Sequence, residues 1–474
     1  MEILNILADR YASKSMKAIF DEERHIIEER RLWIAVMKAQ RELGVNIPAE
    51  AIEKYEAVKE HINFESIRER ERKKKHDVDA RAEEFNTLAG YQYAHNAMTS
   101  RDDTDNIEQM QIKQASKLIH GKFVSILRHF VEKAEHYQHI ILTARTHHQA
   151  AQPTLLGRRM AMWAQELLCH IDNYEHMIEN LPLRGIKGPV GTQFDMLTLL
   201  GSEEKVLELE RRVAQHLGFT HVLHAVGQVY PRSLDYALIN RLSETAAACE
   251  NFSTGMRLMA GYELVTEGFK EGQVGSSAMP HKMNTRSSER IWGAAQLIKG
   301  YQDMASRISG AQWEEGDVSC SIVRRVIDSD TFFAADALCE TTLTVLNKMG
   351  AYPVIISREV DRYLPFLATT EILTRAIKAG IGRETAHATI KKYAVAEALA
   401  MRTEGRAPAL ATRLAEDPVF QEKGITQTDL EDILKEKEHF LGRARQQIQA
   451  VKTDAQLIFD CYPQAAAYEP GDIL

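Results

Sequence analysis

The chain has 474 residues, of which 59 are lysine or arginine and 67 are aspartate or glutamate, so its formal net charge at pH 7 is −8. A mildly acidic chain of this size lacks the excess of basic surface that binding to nucleic acid or to an anionic membrane requires. Any anionic ligand must therefore be bound by a local cluster of cations. Twelve prolines and 26 glycines are few for this length, which favours a mainly helical protein.

The five cysteines are scattered, odd in number and never arranged as Cys-x-x-Cys, which argues against a disulfide framework and against a zinc site. Residues 1–15 mix apolar with charged side chains, unlike a signal peptide, and no apolar run approaches about twenty residues. We therefore expect a reduced, cytoplasmic protein without a transmembrane segment.

The first hundred residues are rich in charge and are predicted to be helical. Charged residues surround Ile26, Leu32 and Trp33, as in an amphipathic helix. The basic run 68–75 is most simply a solvated helix face. It leads directly into His76.

Three long apolar seams follow, with apolar residues spaced by three and four at 119–137, 156–174 and 234–259. The second seam is predicted to begin at Pro153, because proline suits a first helical turn. Seams of this length are typical of long bundle helices. Such helices usually bury an exposed seam on another copy of the chain, so we expect a homo-oligomer with closed symmetry.

We therefore predict an all-α fold of three helical domains. An N-terminal domain covers residues 1–106 and contains the His76 element. A central bundle of long helices covers 107–357, and a charged helical domain covers 358–474.

Three polar segments interrupt the helical pattern and are predicted to be loops. Segment 99–106 is most simply a helix N-cap. Segment 143–153 contains the adjacent histidines His147 and His148 without a carboxylate at ligand spacing, so a proton carrier is favoured over a metal site. Segment 272–284 holds two serines, a lysine and an asparagine, and matches neither the phosphate-binding loop nor Gly-x-Ser-x-Gly.

Residues 275–284 read Gly-Ser-Ser-Ala-Met-Pro-His-Lys-Met-Asn, which resembles the long and specific signature loop of the fumarase, aspartase and argininosuccinate lyase superfamily. Segments 99–106 and 143–153 resemble the two other regions that build the active site of this superfamily. Within it, the chain is most similar to the adenylosuccinate lyase family. The elements that carry this likeness are 10–13, 75–78, 184–188, 227–230 and 324–325.

The resemblance implies a homotetramer whose core is the central bundle and whose active sites each combine loops from three subunits. It implies a carbon–nitrogen lyase of the amidine-lyase type that works by β-elimination in purine biosynthesis. The implied reactions cleave adenylosuccinate to AMP and fumarate, and the succinylated imidazole carboxamide ribotide (SAICAR) to AICAR and fumarate. It implies no cofactor, no metal and no partner other than the substrate and further copies of the chain.

The resemblance also implies catalytic roles. The general base is Ser276, the general acid is His147, and Glu289 orients the histidine. Because serine is a poor base, Lys282 and the exclusion of water must help to stabilise its alkoxide. His76 is the second histidine at the substrate. The implied substrate-binding residues are Arg10, Tyr11, Lys75, Asp77, Thr99, Ser100, Gln149, Gln228, Asn284, Arg290, Ser321 and Arg325.

Two departures from the family pattern leave alternatives open. Where many members have an arginine, this chain has Gly316, and the segment after Ser100 is shorter than in some relatives and brings Arg101. We hypothesise that Arg101 supplies the missing charge. The alternatives are a sister lyase acting on another amino-dicarboxylate, such as argininosuccinate, and an inactive helical structural oligomer. The intact catalytic set argues against the structural oligomer.

Overall fold

The computed structural model describes residues 5–268 and 278–471, so the predicted base Ser276 lies outside the described residues. The helices are α1 (Ile6–Tyr11), α2 (Lys14–Ile19), α3 (Glu22–Glu42), α4 (Ala49–Val58), α5 (Phe64–Lys74), α6 (Asp77–Ala89), α7 (Ser100–His136), α8 (Leu156–Leu168), α9 (Ile171–Glu179), α10 (Phe194–Leu200), α11 (Glu203–His216), α12 (Ser233–Gly261), α13 (Arg286–Ile308), α14 (Ser321–Lys348), α15 (Pro353–Leu367), α16 (Thr369–Lys378), α17 (Arg383–Thr403), α18 (Leu410–Ala415), α19 (Pro418–Gln421), α20 (Gln427–Lys435), α21 (Ala444–Cys461) and α22 (Pro463–Ala466). The strands are β1 (Ile141–Thr146), β2 (Gln149–Leu155), β3 (Val265–Thr266) and β4 (Gly350–Ala351), which form two antiparallel pairs, β1–β2 and β3–β4.

The centre of the protein is a bundle of long helices, which confirms the predicted all-α fold. Helix α7 has 37 residues, α12 has 29, α14 has 28 and α13 has 23. The three predicted seams supply its core, where the Phe252 ring packs edge-on against Phe130 and Trp163, each at 5.2 Å between centroids. In the described ranges, no helix combines the length and the apolar composition that crossing a membrane requires.

Two local predictions were wrong. Segment 143–153 is a β-hairpin rather than a loop, and Pro153 lies in β2 opposite Thr143, so α8 begins only at Leu156. The second seam is also two helices, α8 and α9, interrupted at His170, whose backbone is not helical. The seam concealed the break at His170 because Ile171 still buries its side chain in the same core.

Segment 99–106, the first of the three predicted loops, is instead the beginning of α7, with Thr99 as its N-cap, as the N-cap interpretation predicted. The expected domain boundary at 106/107 therefore falls inside α7, and the boundary at 357/358 falls inside α15. Helices α3, α4 and α6 share one core, α3 shares a second with α7, α10 and α11, and α16 to α20 share a third. Helix α21 returns to the central core. The division into three domains stays a prediction.

Candidate active site

His147 and His148 form the two-residue turn of the β1–β2 hairpin. Both have positive φ, 52° and 61°, a left-handed conformation that costs a residue with a Cβ about 1 to 2 kcal/mol. Both are exposed and line a cavity of about 460 Å³ with Arg159, Trp163 and Tyr262. Such strain is typical of functional sites, where the surrounding structure must hold it.

Arg145 holds this turn from behind. Its Nη1 donates a hydrogen bond to the carbonyl oxygen of His148 at 3.1 Å, and its Nη2 forms an ion pair with Glu359 of α15. The guanidinium also lies 4.2 Å from the ring centroid of Tyr262. Gln149, an expected substrate contact, begins β2 and is exposed beside the turn. The hairpin therefore presents His147 and Gln149 from one braced support.

The described part of the signature segment leads into α13. Lys282 is exposed and, together with His281 and Tyr352, lines a second cavity of about 460 Å³. Asn284 is half-buried, and Glu289 is exposed in the first turn of α13. The segment therefore exposes a cation, Lys282, and a carboxylate, Glu289, that are close together in the chain.

The sequence analysis missed Glu267, which fixes the start of α13. Its buried carboxylate accepts hydrogen bonds from the backbone NH groups of Ser287 and Ser288, at 3.0 and 3.1 Å, and from the Ser288 hydroxyl at 3.0 Å. A carboxylate is stabilised there because the NH groups of a first helical turn lack partners in the helix. Glu267 thus joins the chain before the signature segment to the chain after it.

A cluster of cations lies where α13 approaches α1. The Arg290 guanidinium lies 5.1 Å from the centroid of the Tyr11 ring. Burial lowers the pKa of Arg290, and the positive charges of Arg286 and Arg10 lower it further. Arginine clusters of this kind suit a phosphate group, whose oxygens accept paired hydrogen bonds from the guanidinium. This is the local basic cluster that the acidic overall charge requires of a protein that binds an anion.

The His76 element joins two helices of the N-terminal region. Lys75 ends α5 in the left-handed conformation, with φ of 57°, and His76 caps α6 by accepting a hydrogen bond at Nδ1 from the NH of Asp79 at 3.2 Å. The neutral imidazole then carries its proton on Nε2. Asp77 Oδ2 lies 4.0 Å from Nη2 of Arg325. The structure thus brings together two of the expected nucleotide contacts.

A buried ion pair supports this element from inside. Arg81 donates from Nε and Nη2 to the two carboxylate oxygens of Glu29, at 2.5 and 2.8 Å, and its Nη1 lies 3.6 Å from Asp77 Oδ2. Burial alone would raise the pKa of Glu29, but Arg81 and His25 lower it to about 2. Glu29 is therefore ionised across the neutral range and keeps Arg81 in place beside Asp77.

The start of α14 separates the roles of two neighbouring arginines. Ser321 is the first residue of this helix. Arg324 is buried and forms ion pairs with Asp235 at 3.0 Å and with Asp328 at 2.9 Å. Arg325 is 73% exposed and is available to a ligand. Arg325, the expected nucleotide contact, is therefore the exposed member of the pair, while Arg324 holds the helices together.

The start of α7 is tied to the loop at 184–188 by the buried carboxylate of Asp102. Its Oδ2 accepts a hydrogen bond from the NH of Thr99 at 2.8 Å. Its Oδ1 accepts bonds from the NH groups of Lys187 and Gly188, at 2.8 and 3.1 Å, and from the buried guanidinium of Arg184. Thr99 is thus positioned by a carboxylate that the sequence analysis assigned only to a helix cap.

Ser100 and Gln228 are linked to Asp102 in different ways, Ser100 through its helix and Gln228 through Arg184, which donates to the carbonyl oxygen of Gly227 at 3.3 Å. Ser100 is the first residue of α7, and the NH of Gln228 donates to the carbonyl oxygen of Glu315 at 2.6 Å. This contact brings Gly316 against the Gln228 segment. Gly316 has a φ of 129°, and a Cβ there would lie 3.2 Å from Cγ2 of Val229. Its backbone conformation explains why this loop carries a glycine.

The expected site residues therefore fall into groups within one chain. One group is the His147 hairpin, a second joins the start of α13 to Tyr11, and a third surrounds His76 and Arg325. Among the described residues, no hydrogen bond or ion pair connects His147 to Glu289. The orienting contact expected of Glu289 is thus not made inside a single described chain.

Known proteins resemble the chain over nearly all of its length. The lyase family matches residues 7–300, and the family described as adenylosuccinate lyase C-terminus matches residues 365–451. The adenylosuccinate lyase of Saccharomyces cerevisiae is 32% identical over 94% of this chain and 92% of its own length. That of Methanothermobacter thermautotrophicus is 30% identical over 94% of this chain and 98% of its own.

Solved structures support the fold. The 3-carboxy-cis,cis-muconate lactonizing enzyme of Pseudomonas putida superposes with a TM-score of 0.83 at 18% identity, covering 95% of this chain and 99% of its own. A fumarate lyase of Mesorhizobium sp. BNC1 superposes with a TM-score of 0.78 at 17% identity, with the same coverage. The fold is thus shared with enzymes of low sequence identity, whereas the relatives of 30% identity or more named above are adenylosuccinate lyases. Since the match to these relatives extends along the chain from the N-terminal helices to α21, the protein belongs to the adenylosuccinate lyase family.

Proposed function

We propose that this chain cleaves adenylosuccinate to AMP and fumarate, and SAICAR to AICAR and fumarate, as a step of purine biosynthesis. The observation that carries the proposal is the whole-length relationship to adenylosuccinate lyases at 30 to 32% identity. The cation cluster around Arg290 supports a phosphorylated substrate, because it supplies several positive charges to one exposed surface of an acidic protein.

The proposed chemistry needs two proton carriers on opposite sides of the substrate. Ser276 removes a proton from the carbon beside a succinyl carboxylate, and His147 protonates the departing nitrogen. Lys282 and Asn284 bind the succinyl carboxylate, whose negative charge spreads as the carbon loses its proton. The position of His147 supports its role. The side chain is exposed, so it can contact a bound substrate, and Arg145 holds the turn that carries it.

The proposal includes a homotetramer in the cytoplasm, with each active site built from three subunits. The lack of a contact between His147 and Glu289 among the described residues of one chain supports this arrangement, because a pair formed across copies would leave each residue unpaired in a single chain. Exposed apolar side chains on the central bundle support it as well. Trp292 is 43% exposed on α13, and Ile322 is 79% exposed on α14.

The decisive experiment mixes the purified protein with adenylosuccinate and follows both the ultraviolet absorbance of the purine and the release of fumarate. Turnover with stoichiometric AMP and fumarate supports the proposal. A folded oligomer that releases fumarate from argininosuccinate but not from adenylosuccinate would make the sister lyase the correct assignment. Gly316 favours that alternative, since the family's usual arginine is missing there.

We expect Arg145→Ala to lower kcat by ~10- to 100-fold while KM changes little, because displacement of a catalytic group by about 1 Å has effects of this size. The variant removes the hydrogen bond to His148 and the ion pair with Glu359 that hold the strained turn. Arg158→Ala is the matched control, since Arg158 lies on α8 and contacts Gln447 instead. Equal kcat values for the two variants would contradict the positioning role of Arg145.

We expect Arg101→Ala to raise KM for adenylosuccinate about tenfold, since a charged hydrogen bond contributes roughly 1.5 to 3 kcal/mol. Arg101 Nη1 lies 3.3 Å from Asp105 Oδ1, but Arg232 already donates two hydrogen bonds to the same carboxylate at 3.1 and 3.0 Å. Asp105 therefore keeps a partner if Arg101 turns toward a ligand, which is what the hypothesis that Arg101 replaces the charge missing at Gly316 requires. An unchanged KM would rule out this compensation.

A further inference from the structure

A buried ionic cluster lies inside the central bundle, away from the hairpin and from the signature segment. Lys122 of α7 is 1% exposed and contacts two fully buried carboxylates of α14, Asp336 and Glu340, the latter at 2.6 Å. Although burial lowers the pKa of Lys122, the two carboxylates raise it overall, so the ammonium group stays charged. One cation between two carboxylates leaves one negative charge to be compensated by hydrogen bonds.

The N-terminal segment supplies part of this compensation. The NH of Ser13 donates to Asp336 Oδ2 at 2.5 Å, and the Ser13 hydroxyl accepts a hydrogen bond from Lys122 Nζ at 3.2 Å. Ser13 caps α2 and stands two residues after Tyr11, whose ring faces Arg290. The cluster therefore sets the position of the segment that carries two of the expected nucleotide contacts.

The C-terminal tail supplies the rest. The Tyr468 hydroxyl donates to Glu340 Oε1, and the NH of Gly471 donates to Glu340 Oε2 at 2.8 Å. The Tyr468 ring also lies 5.3 Å from the Lys122 ammonium, and the carbonyl oxygen of Tyr468 accepts a hydrogen bond from Ser125 at 2.7 Å. Residues 468–471 are thus bound to Glu340, which pairs with the same Lys122 ammonium that donates to Ser13.

We infer that tail residues 468–471 and Lys122 position the nucleotide-binding segment, so that docking of the tail sets the affinity of the active site for its substrate. The physical link is competition for one ammonium group. When Glu340 loses the donors of the tail, it draws Lys122 away from Asp336 and Ser13, because an uncompensated buried carboxylate is costly. This inference rests on the proposed function for the identity of the substrate, but its structural part is independent of it.

The test is Tyr468→Phe, which removes one hydroxyl and keeps the ring. The matched control is Tyr462→Phe, since Tyr462 also lies near the C-terminus and donates its hydroxyl to a carboxylate. Its acceptor is Glu175 of α9, for which the described ranges show no contact with Lys122. We expect Tyr468→Phe to raise KM for adenylosuccinate on the order of fivefold, a typical size for coupling between two sites, with kcat unchanged. Tyr462→Phe should change neither.

Ser13→Ala completes a double-mutant cycle. If the tail and the segment act through one cation, the two effects should not be independent. The factor by which KM rises in the double variant should then be at least threefold smaller than the product of the factors in the two single variants. Multiplying effects would overturn the coupling. Should Tyr468→Phe fold poorly, Gly471→Pro removes the other donor of the tail and leaves Tyr468 intact.

Amide hydrogen exchange separates this inference from the proposed function. Tyr468→Phe should speed exchange in residues 6–13, and Tyr462→Phe should not, whatever the substrate is. Unchanged exchange overturns the positioning role of the tail. Faster exchange with an unchanged KM overturns its effect on substrate affinity. A wild-type protein that is inactive on adenylosuccinate refutes the proposed function, whereas the exchange result still decides whether the tail holds the segment.

Discussion

His147→Gln should lower kcat by about two to four orders of magnitude, because a positioned general acid typically contributes 10²- to 10⁴-fold. Glutamine keeps a polar side chain of similar reach but cannot deliver a proton near neutral pH. It also tolerates an exposed turn, so folding should be preserved. The measurement is the steady-state rate of fumarate release from adenylosuccinate, with circular dichroism to verify the helical content.

His148→Gln is the matched control for this prediction. His148 occupies the other position of the same turn, with a φ of 61° and an exposed side chain, so both variants impose the same change on the backbone. We expect kcat of the control within about threefold of the wild type, a change of less than 1 kcal/mol in the barrier. Equal losses in the two variants would assign the effect to the turn and would refute His147 as the acid.

The second large effect concerns stability. Asp102→Ala should lower the free energy of unfolding by about 3–5 kcal/mol, the usual cost of removing one partner from a buried ion pair. Arg184 is fully buried and would lose its carboxylate, and the NH groups of Lys187 and Gly188 would lose their acceptor. Because Thr99 is bound to the same carboxylate, KM should rise as well.

Urea unfolding at one fixed protein concentration measures this loss, since the stability of an oligomer depends on concentration. The control is Asp303→Ala, which removes an exposed pair with Arg307 at 2.9 Å and should change the free energy by less than about 1 kcal/mol. If the two variants were equally stable, the buried carboxylate would not be the point that holds α7 to the 184–188 loop.

The helical bundle could be predicted from the sequence because its signal is local. Apolar side chains such as Phe123, Trp163 and Met256 recur with the helical period, and all three are buried. The hairpin could not be predicted in this way. A two-residue hairpin turn usually contains glycine or asparagine, which adopt positive φ readily, and here two histidines occupy it.

The supports of the site were missed for a different reason. Glu267 acts on Ser288, and Asp102 acts on Lys187, over separations of 21 and 85 residues. No local pattern encodes contacts of such range. The residues expected to do chemistry came instead from the resemblance of short motifs to a family. Their roles stay predictions, and the expected base Ser276 lies outside the described residues.

Gly316 also restricts how this lineage can change. Glycine and arginine codons can differ by one base, so a single base change can replace Gly316 with the arginine that many relatives have. The backbone does not accommodate an arginine at this position, because a residue with a Cβ is strained at a φ of 129° and its Cβ would lie too close to Val229. The loop would have to be remodelled before an arginine became tolerable, so the order of substitutions is constrained. Directed evolution that begins with Gly316→Arg should fail, whereas libraries that first vary the neighbours of Gly316 leave that route open.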